Sequence, residues 1–291
     1  MKHLLILLFT TFTILANSQS TLKIYYDSNW VEVPEQKANY YRIATKIGKK
    51  LWSVNDYFLS GKIQMTGNYQ SRKFKIKEGQ FTYYFENGQI SSNGNYLNNN
   101  KIGYWTSFYE NGFKRSEVTY LNGKLNGESK TYYNNSNLES EGPYLNGNYD
   151  GEWKWYFESG NMSTKETYAN NELIDIECWT ENNVKQVENC FPEKESEFEG
   201  GFSAMTKFIQ ENINYPKKAI EYGIKGKVYI LFSVDIDGTL GDFEIVKSAD
   251  PLLDKEALRV VKLLPDFIPA VSHNRLIKSY FRMPINFKFT K

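Results

Sequence analysis

Histidine is nearly absent from this chain: His3 and His273 are the only two in 291 residues. That leaves almost no material for a histidine-based catalytic or metal centre. Cysteine is equally scarce, with Cys178 and Cys190 alone, so the chain is no small disulfide-dense scaffold. No apolar run approaches the ~18 residues of a membrane-crossing helix, and the mean hydropathy of −0.57 excludes a polytopic membrane protein. Neither sign of charge is in surplus: 35 Lys and Arg face 34 Asp and Glu, a net charge of +1. A nucleic-acid-binding chain carries a basic excess or a basic stripe, and neither is visible. Proline is sparse too, eight in all with none between Pro34 and Pro143, which excludes a proline-rich extended spacer there.

What the chain has instead is rings. Trp 6, Tyr 22 and Phe 19 make up 16% of it, far too many for a disordered segment. Set among abundant Asn and Gly, they point to strands joined by tight turns. The length fits one to three domains.

The first 18 residues have the layout of a secretory signal peptide. Lys2 and His3 precede an apolar run from Leu4 to Leu15, and Ala16-Asn17-Ser18 follows. A helix of that run spans ~18 Å, short of a ~30 Å hydrocarbon core. Cleavage near Ser18 or Gln19 would release a periplasmic protein, whereas retention would anchor it in the inner membrane. No Cys follows the run, so no lipoprotein anchor is indicated. In an oxidising compartment Cys178 and Cys190 are expected to form a disulfide, worth about 3 kcal/mol. The Glu181-Asn182-Asn183 stretch between them reads as a turn that places both on paired strands. Two free buried thiols are the alternative.

The middle of the chain repeats. Gly88, Gly112, Ser136 and Gly160 close one series at steps of 24 residues, and Gly79, Gly103, Gly127 and Gly151 form a second. Tyr96, Tyr120, Tyr144 and Tyr168 form a third, while an upstream unit from Tyr57 to Tyr69 has three extra residues before Gly79. Each unit reads strand, turn, strand, turn, so the fold expected over residues 57–174 is a β meander of stacked hairpins with aromatic ladders. Residues 19–56 read as a degenerate β segment and 175–196 as a disulfide hairpin. The core pattern, at Gly103-Tyr104-Trp105 to Gly112 and Gly151-Glu152-Trp153 to Gly160, resembles the MORN-type repeat in the variant form of the YwqK antitoxin-like family. The resemblance implies a spacer or binding platform with no shared chemistry. The ladders are either structural or a surface for stacking sugars.

Val228 to Leu240 contains Asp235-Ile236-Asp237-Gly238-Thr239, which resembles the nucleophile motif of haloacid-dehalogenase-type phosphatases. Only 51 residues follow Leu240 (291 − 240), too few for the rest of such a domain. Apolar residues flanking an Asp-Gly turn read better as a β-hairpin. His273, in Ser272-His273-Asn274-Arg275, reads as a solvated loop residue. Asp250, Asp254 and Glu256 fall at a helix start, where the dipole favours carboxylates. No catalytic residue, cofactor or metal site is expected, and the chain reads as a non-enzyme.

Residues 197–291 change texture to a small α+β domain in the order helix, strand, strand, helix, strand. Phe198-Glu199-Gly200-Gly201, Tyr215-Pro216, Gly226-Lys227-Val228, Asp250-Pro251, Phe267-Ile268-Pro269-Ala270 and Met283-Pro284-Ile285-Asn286-Phe287 occur in order. Together they resemble the TonB C-terminal domain. The resemblance implies an energy transducer that binds the N-terminal box of outer-membrane transporters through its exposed final strand. The partner-binding residues implied are Lys278, Ser279, Tyr280, Phe281, Arg282, Met283, Ile285 and Phe287, with Asn212, Tyr215 and Pro216 beside them. An ExbB–ExbD-type motor is a further implied partner; neither nucleic acid nor a small-molecule substrate is. The alternative reading is a scaffolding envelope protein that binds a glycan or a protein through the repeats.

Overall fold

The structure, a computed structural model, describes residues 20–289. Two compact units divide it: residues up to Ser136 with Tyr144–Gly147, and Asn137–Pro143 with everything from Asn148 onward. The segment read as a signal peptide lies outside the described residues.

The first unit is an antiparallel meander. Its strands are β1 (Thr21–Tyr26), β2 (Tyr40–Lys46), β3 (Trp52–Phe58), β4 (Ile63–Tyr69) and β5 (Lys77–Tyr84). It continues through β6 (Ile90–Leu97), β7 (Asn100–Phe108), β8 (Lys114–Leu121) and β9 (Lys124–Tyr132). Each strand pairs with the next. The segment read as degenerate is thus built of regular strands from Thr21 on. The repeat is visible in the turns, where Gly88 N donates to Phe85 O, Gly112 N to Tyr109 O and Ser136 N to Tyr133 O.

A second regularity sets how the rings pack. A Cβ on Gly67 would lie 2.4 Å from the Phe81 ring, and one on Gly94 2.1 Å from Trp105. Each large ring therefore lies flat on a glycine of the preceding strand, and neighbouring rings close over it. Phe81 meets Tyr96 edge-on at 5.0 Å and Trp105 meets Tyr96 at 5.1 Å. In the next repeat the pair is exchanged: Val118 stands 24 residues after Gly94, and buried Ser129 24 after Trp105. The exchange replaces a bare slot under a large ring by a branched side chain facing a small one. Gly94→Val should therefore destabilise the protein by about 2 kcal/mol, and adding Trp105→Ser should recover part of the loss in chemical denaturation.

The second unit opens with β10 (Leu138–Leu145), whose last two residues fall in the first unit, and continues through β11 (Asn148–Tyr149), β12 (Gly151–Tyr156), β13 (Met162–Ala169), β14 (Glu172–Trp179) and β15 (Lys185–Gln186). The same rule holds here, with Trp153 2.4 Å from a Cβ on Gly142. One repeat later it breaks: Glu166, 24 residues after Gly142, occupies the glycine position and is fully buried.

After β16 (Glu193–Lys194) come α1 (Gly201–Asn212), α2 (Lys217–Glu221), β17 (Gly226–Val234), β18 (Leu240–Lys247) and α3 (Pro251–Val261). A short hairpin, β19 (Ala270–Ser272) and β20 (Arg275–Ile277), precedes the final β21 (Ser279–Phe287). The main elements follow the expected order, and the hairpin is an addition. Asp250 caps α3 by accepting from Leu252 N at 2.8 Å. Asp235 to Thr239 is a hairpin turn, closed by Gly238 N donating to Asp235 O. A Cβ on Gly238, at φ 90°, would sit 2.2 Å from Phe267 O. Val228, Ile230 and Phe232 pack with Leu253, Ala257, Val260, Met283, Ile285 and Phe287 in the core.

Cys178 and Cys190 are disulfide-bonded. Only Cys178 lies on a paired strand, opposite Gln186; Cys190 is past the end of β15, outside any strand. The expected turn is present, with Asn183 N donating to Thr180 O, but the chain overshoots its strand before returning to the sulfur. Non-reducing peptide mapping should recover the Cys178–Cys190 link, and its reduction should lower stability by about 3 kcal/mol.

Candidate partner-binding edge

The C-terminal sheet has the order β18-β17-β21, so one edge of β21 is unpaired within its sheet. Which residues point their backbone to that edge follows from the hairpin. Asp235 N donates to Thr239 O, so by alternation Ser233, Leu231 and Tyr229 direct their backbone groups to β18. Val234, Phe232, Ile230 and Val228 then face β21, where their partners are Ser279, Phe281, Met283 and Ile285. The remaining phase, Tyr280, Arg282, Pro284 and Asn286, points outward. Pro284 fits this phase, since a proline is tolerated where its missing N–H faces away from the ladder.

A groove of about 280 Å³ lies along this strand, walled by Phe202, Met205, Thr206, Ile209 and Gln210 of α1, by Ile213 just after it, and by residues 281–286. Phe202, 71% exposed at its rim, is an apolar side chain with little cover. A second cleft, between Ser279–Arg282 and the Glu193–Ser196 segment, abuts the first half of β21.

The expected binding residues divide into three kinds. Tyr280 and Arg282 lie on the exposed face with outward backbone groups, whereas Phe281, Met283, Ile285 and Phe287 turn their backbone to β17 and their side chains toward the core. Lys278 pairs with Asp242 at 2.6 Å, which raises its pKa; the Ser279 hydroxyl is buried without a hydrogen-bond partner among the described residues. Asn212, Tyr215 and Pro216 are not among the residues that line the groove. Asn212 O accepts from Arg259, Tyr215 OH donates to Ile224 O at 2.6 Å with its ring on Phe287 and Phe289, and Pro216 opens α2. Burial opposes ionisation of Glu256, but hydrogen bonds from Arg259 and Asn214 N outweigh it and hold its carboxyl low.

His273 is not a solvated loop residue. Its ring stacks on Trp155 with centroids 3.8 Å apart and planes 9° from parallel, and Nδ1 lies 3.0 Å from both Glu166 oxygens. Tyr168 OH donates to the same carboxyl at 2.6 Å. Ser163 Oγ donates to His273 O, Asn274 Nδ2 to Trp179 O and Arg275 to Tyr156 O. The tip of the β19–β20 hairpin is thus built into the last repeats. The sequence signal for it was the glutamate at the repeat's glycine position. No group of three or more His, Cys, Asp or Glu among the described residues is placed to hold a metal ion, and no helix among them is long and apolar enough to cross a membrane.

Fold and edge together define a class: a small α+β domain with an open third strand, following an array of β-hairpin repeats. Residues 211–289 match the family described as Gram-negative bacterial TonB protein C-terminal. Residues 77–98, 101–122, 125–146 and 149–170 each match the MORN repeat variant. These matches fall on the two regions whose motifs resemble the same families. No curated protein matches it significantly. Two NMR solution structures of Helicobacter pylori TonB-CTD are similar. One (residues 179–285) is 24% identical at TM-score 0.25, covering 30% of this chain and 78% of that chain. The other (residues 194–285) is 25% identical at TM-score 0.24, covering 30% and 90%.

Proposed function

We propose that this chain is a TonB-like interaction protein of the periplasm. It binds the N-terminal box of outer-membrane transporters by strand addition at β21 and so supports energy-coupled transport across the envelope. The supporting observation is the outward backbone row of Tyr280, Arg282, Pro284 and Asn286 beside the α1 groove. An added strand gains ladder hydrogen bonds of ~1 kcal/mol each. Tyr280, Arg282 and Asn286 offer a donor and an acceptor, Pro284 only its carbonyl, and α1 receives apolar side chains of the box. The repeats act as spacer. No nucleophile is needed, and the chain is non-catalytic.

The alternative, capture of a glycan or protein on the ladder rings, fits less well. Phe81, Trp105 and Trp153 are 0%, 4% and 2% exposed. Hydrogen exchange of the full-length protein with a transporter box peptide tests the reading. The amides of Tyr280, Arg282 and Asn286 should slow. Protection confined to the repeat strands would overturn it.

A further inference from the structure

Two loops of the first unit break the repeat and converge on one point. The loop after β1 brings in Trp30, and the three-residue insertion between Tyr69 and Gly79 brings in Phe74. Both have left-handed backbone, at φ 59° and 49°. That conformation is an outlier for a bulky side chain, and such strain gathers at ligand clamps. The two rings flank the Arg42 guanidinium, at 5.8 and 5.0 Å, with Tyr26 and Tyr69 each at 5.3 Å. Arg42 is 6% exposed and forms two hydrogen bonds, at 2.6 and 2.8 Å, with Asp56, itself 1% exposed.

These residues line a cleft of about 460 Å³, together with Gln64, Lys73, Lys77 and Tyr83, within the size range of small-ligand sites. Arg42 and Asp56 neutralise each other, so Lys73 and Lys77 leave an excess of two positive charges. Lys77 Nζ donates to Tyr83 OH at 2.7 Å, and no carboxylate among the described residues pairs with it. Burial, then Lys101 and Arg42, push its pKa down against the opposing pull of Asp56. The lining combines aromatic rings with Tyr26, Tyr69 and Tyr83 hydroxyls and the Gln64 amide, a mixture suited to a hydroxyl-rich ring.

We infer that this cleft binds an acidic saccharide, with the sugar ring against Trp30, the acid group on Lys77 and Lys73, and hydroxyls met by Tyr26 and Gln64. A neutral sugar would leave both ammonium groups without a counter-charge, and an aromatic acid would leave the tyrosine hydroxyls unused.

The test titrates the full-length protein with cellobiouronic acid, cellobiose phosphate and cellobiose. Trp30 fluorescence is read as the difference from Trp30→Phe. At least one acidic disaccharide should bind about tenfold or more tighter than cellobiose, the scale of a charge-assisted hydrogen bond. Which acid wins separates carboxylate from phosphate recognition. Lys77→Met should erase the preference with circular dichroism unchanged; if that variant misfolds, exposed Lys73→Met must weaken acid binding in its place. Equal binding of acidic and neutral sugars, no signal from either acid, or an unchanged preference in the folded variant overturns the inference.

Discussion

Arg282→Pro should abolish capture of a transporter box peptide while the far-ultraviolet circular dichroism stays unchanged. The outward phase of β21 holds three amide donors, at Tyr280, Arg282 and Asn286, with Pro284 already lacking one. Proline at 282 removes the central donor and sets two rings along one seam. An incoming strand loses a hydrogen bond and the close approach its neighbours need, about 10- to 100-fold in affinity. The fold is spared because Arg282 gives no N–H to β17. Met283→Pro is the phase control: its N–H pairs with Ile230 across the ladder and its side chain is buried, so this variant should lose stability outright. Unchanged affinity in a folded Arg282→Pro, measured by calorimetry, would reject recognition at this edge.

His273→Ala should cost about 3 kcal/mol or more of stability. Glu166 is 0% exposed and meets His273 Nδ1 and Tyr168 OH. Removing the imidazole leaves a buried carboxyl with one partner, an expensive outcome in a low-dielectric site, and uncovers the face of Trp155. The cost comes from the orphaned group rather than from the pair, so Glu166→Gln added to His273→Ala should recover part of it. Denaturant unfolding of the two variants checks the order. If the double variant is less stable than His273→Ala, the carboxyl is not the source.

The hairpin array could be read from the chain because its period is carried by glycines in left-handed turns and rings at fixed offsets, signals that need no tertiary context. The α3 cap and the Asp235–Gly238 turn were legible for the same local reason. The phase of the binding edge was not. Alternation says that Tyr280 and Arg282 share a direction, but only the register of β17 against both neighbours says which. His273 was misread because its partners are more than 100 residues away in sequence, Glu166 at a separation of 107. The polar tetrapeptide around it looks like any solvated loop. A glutamate in a glycine slot was the available clue, and it becomes meaningful only once the ring of the same repeat is known to lie on that slot. The element order places a helix at the start of the C-terminal domain, yet nothing local sets it beside the final strand.

β20 ends at Ile277 and β21 begins at Ser279, so a single residue, Lys278, joins the binding edge to the hairpin that plugs the last repeats. Tension drawn along β21 therefore has two exits. One is lateral, through nine residue pairs with β17 loaded in shear. The other runs backward through Lys278 into β20 and on to the His273, Asn274 and Arg275 contacts on β12, β13 and β14. The second route bypasses the helices and meets β14 at Trp179, the neighbour of disulfide-bonded Cys178. Under the proposed function the hairpin would be a tow point, through which load on β21 reaches the repeat strands.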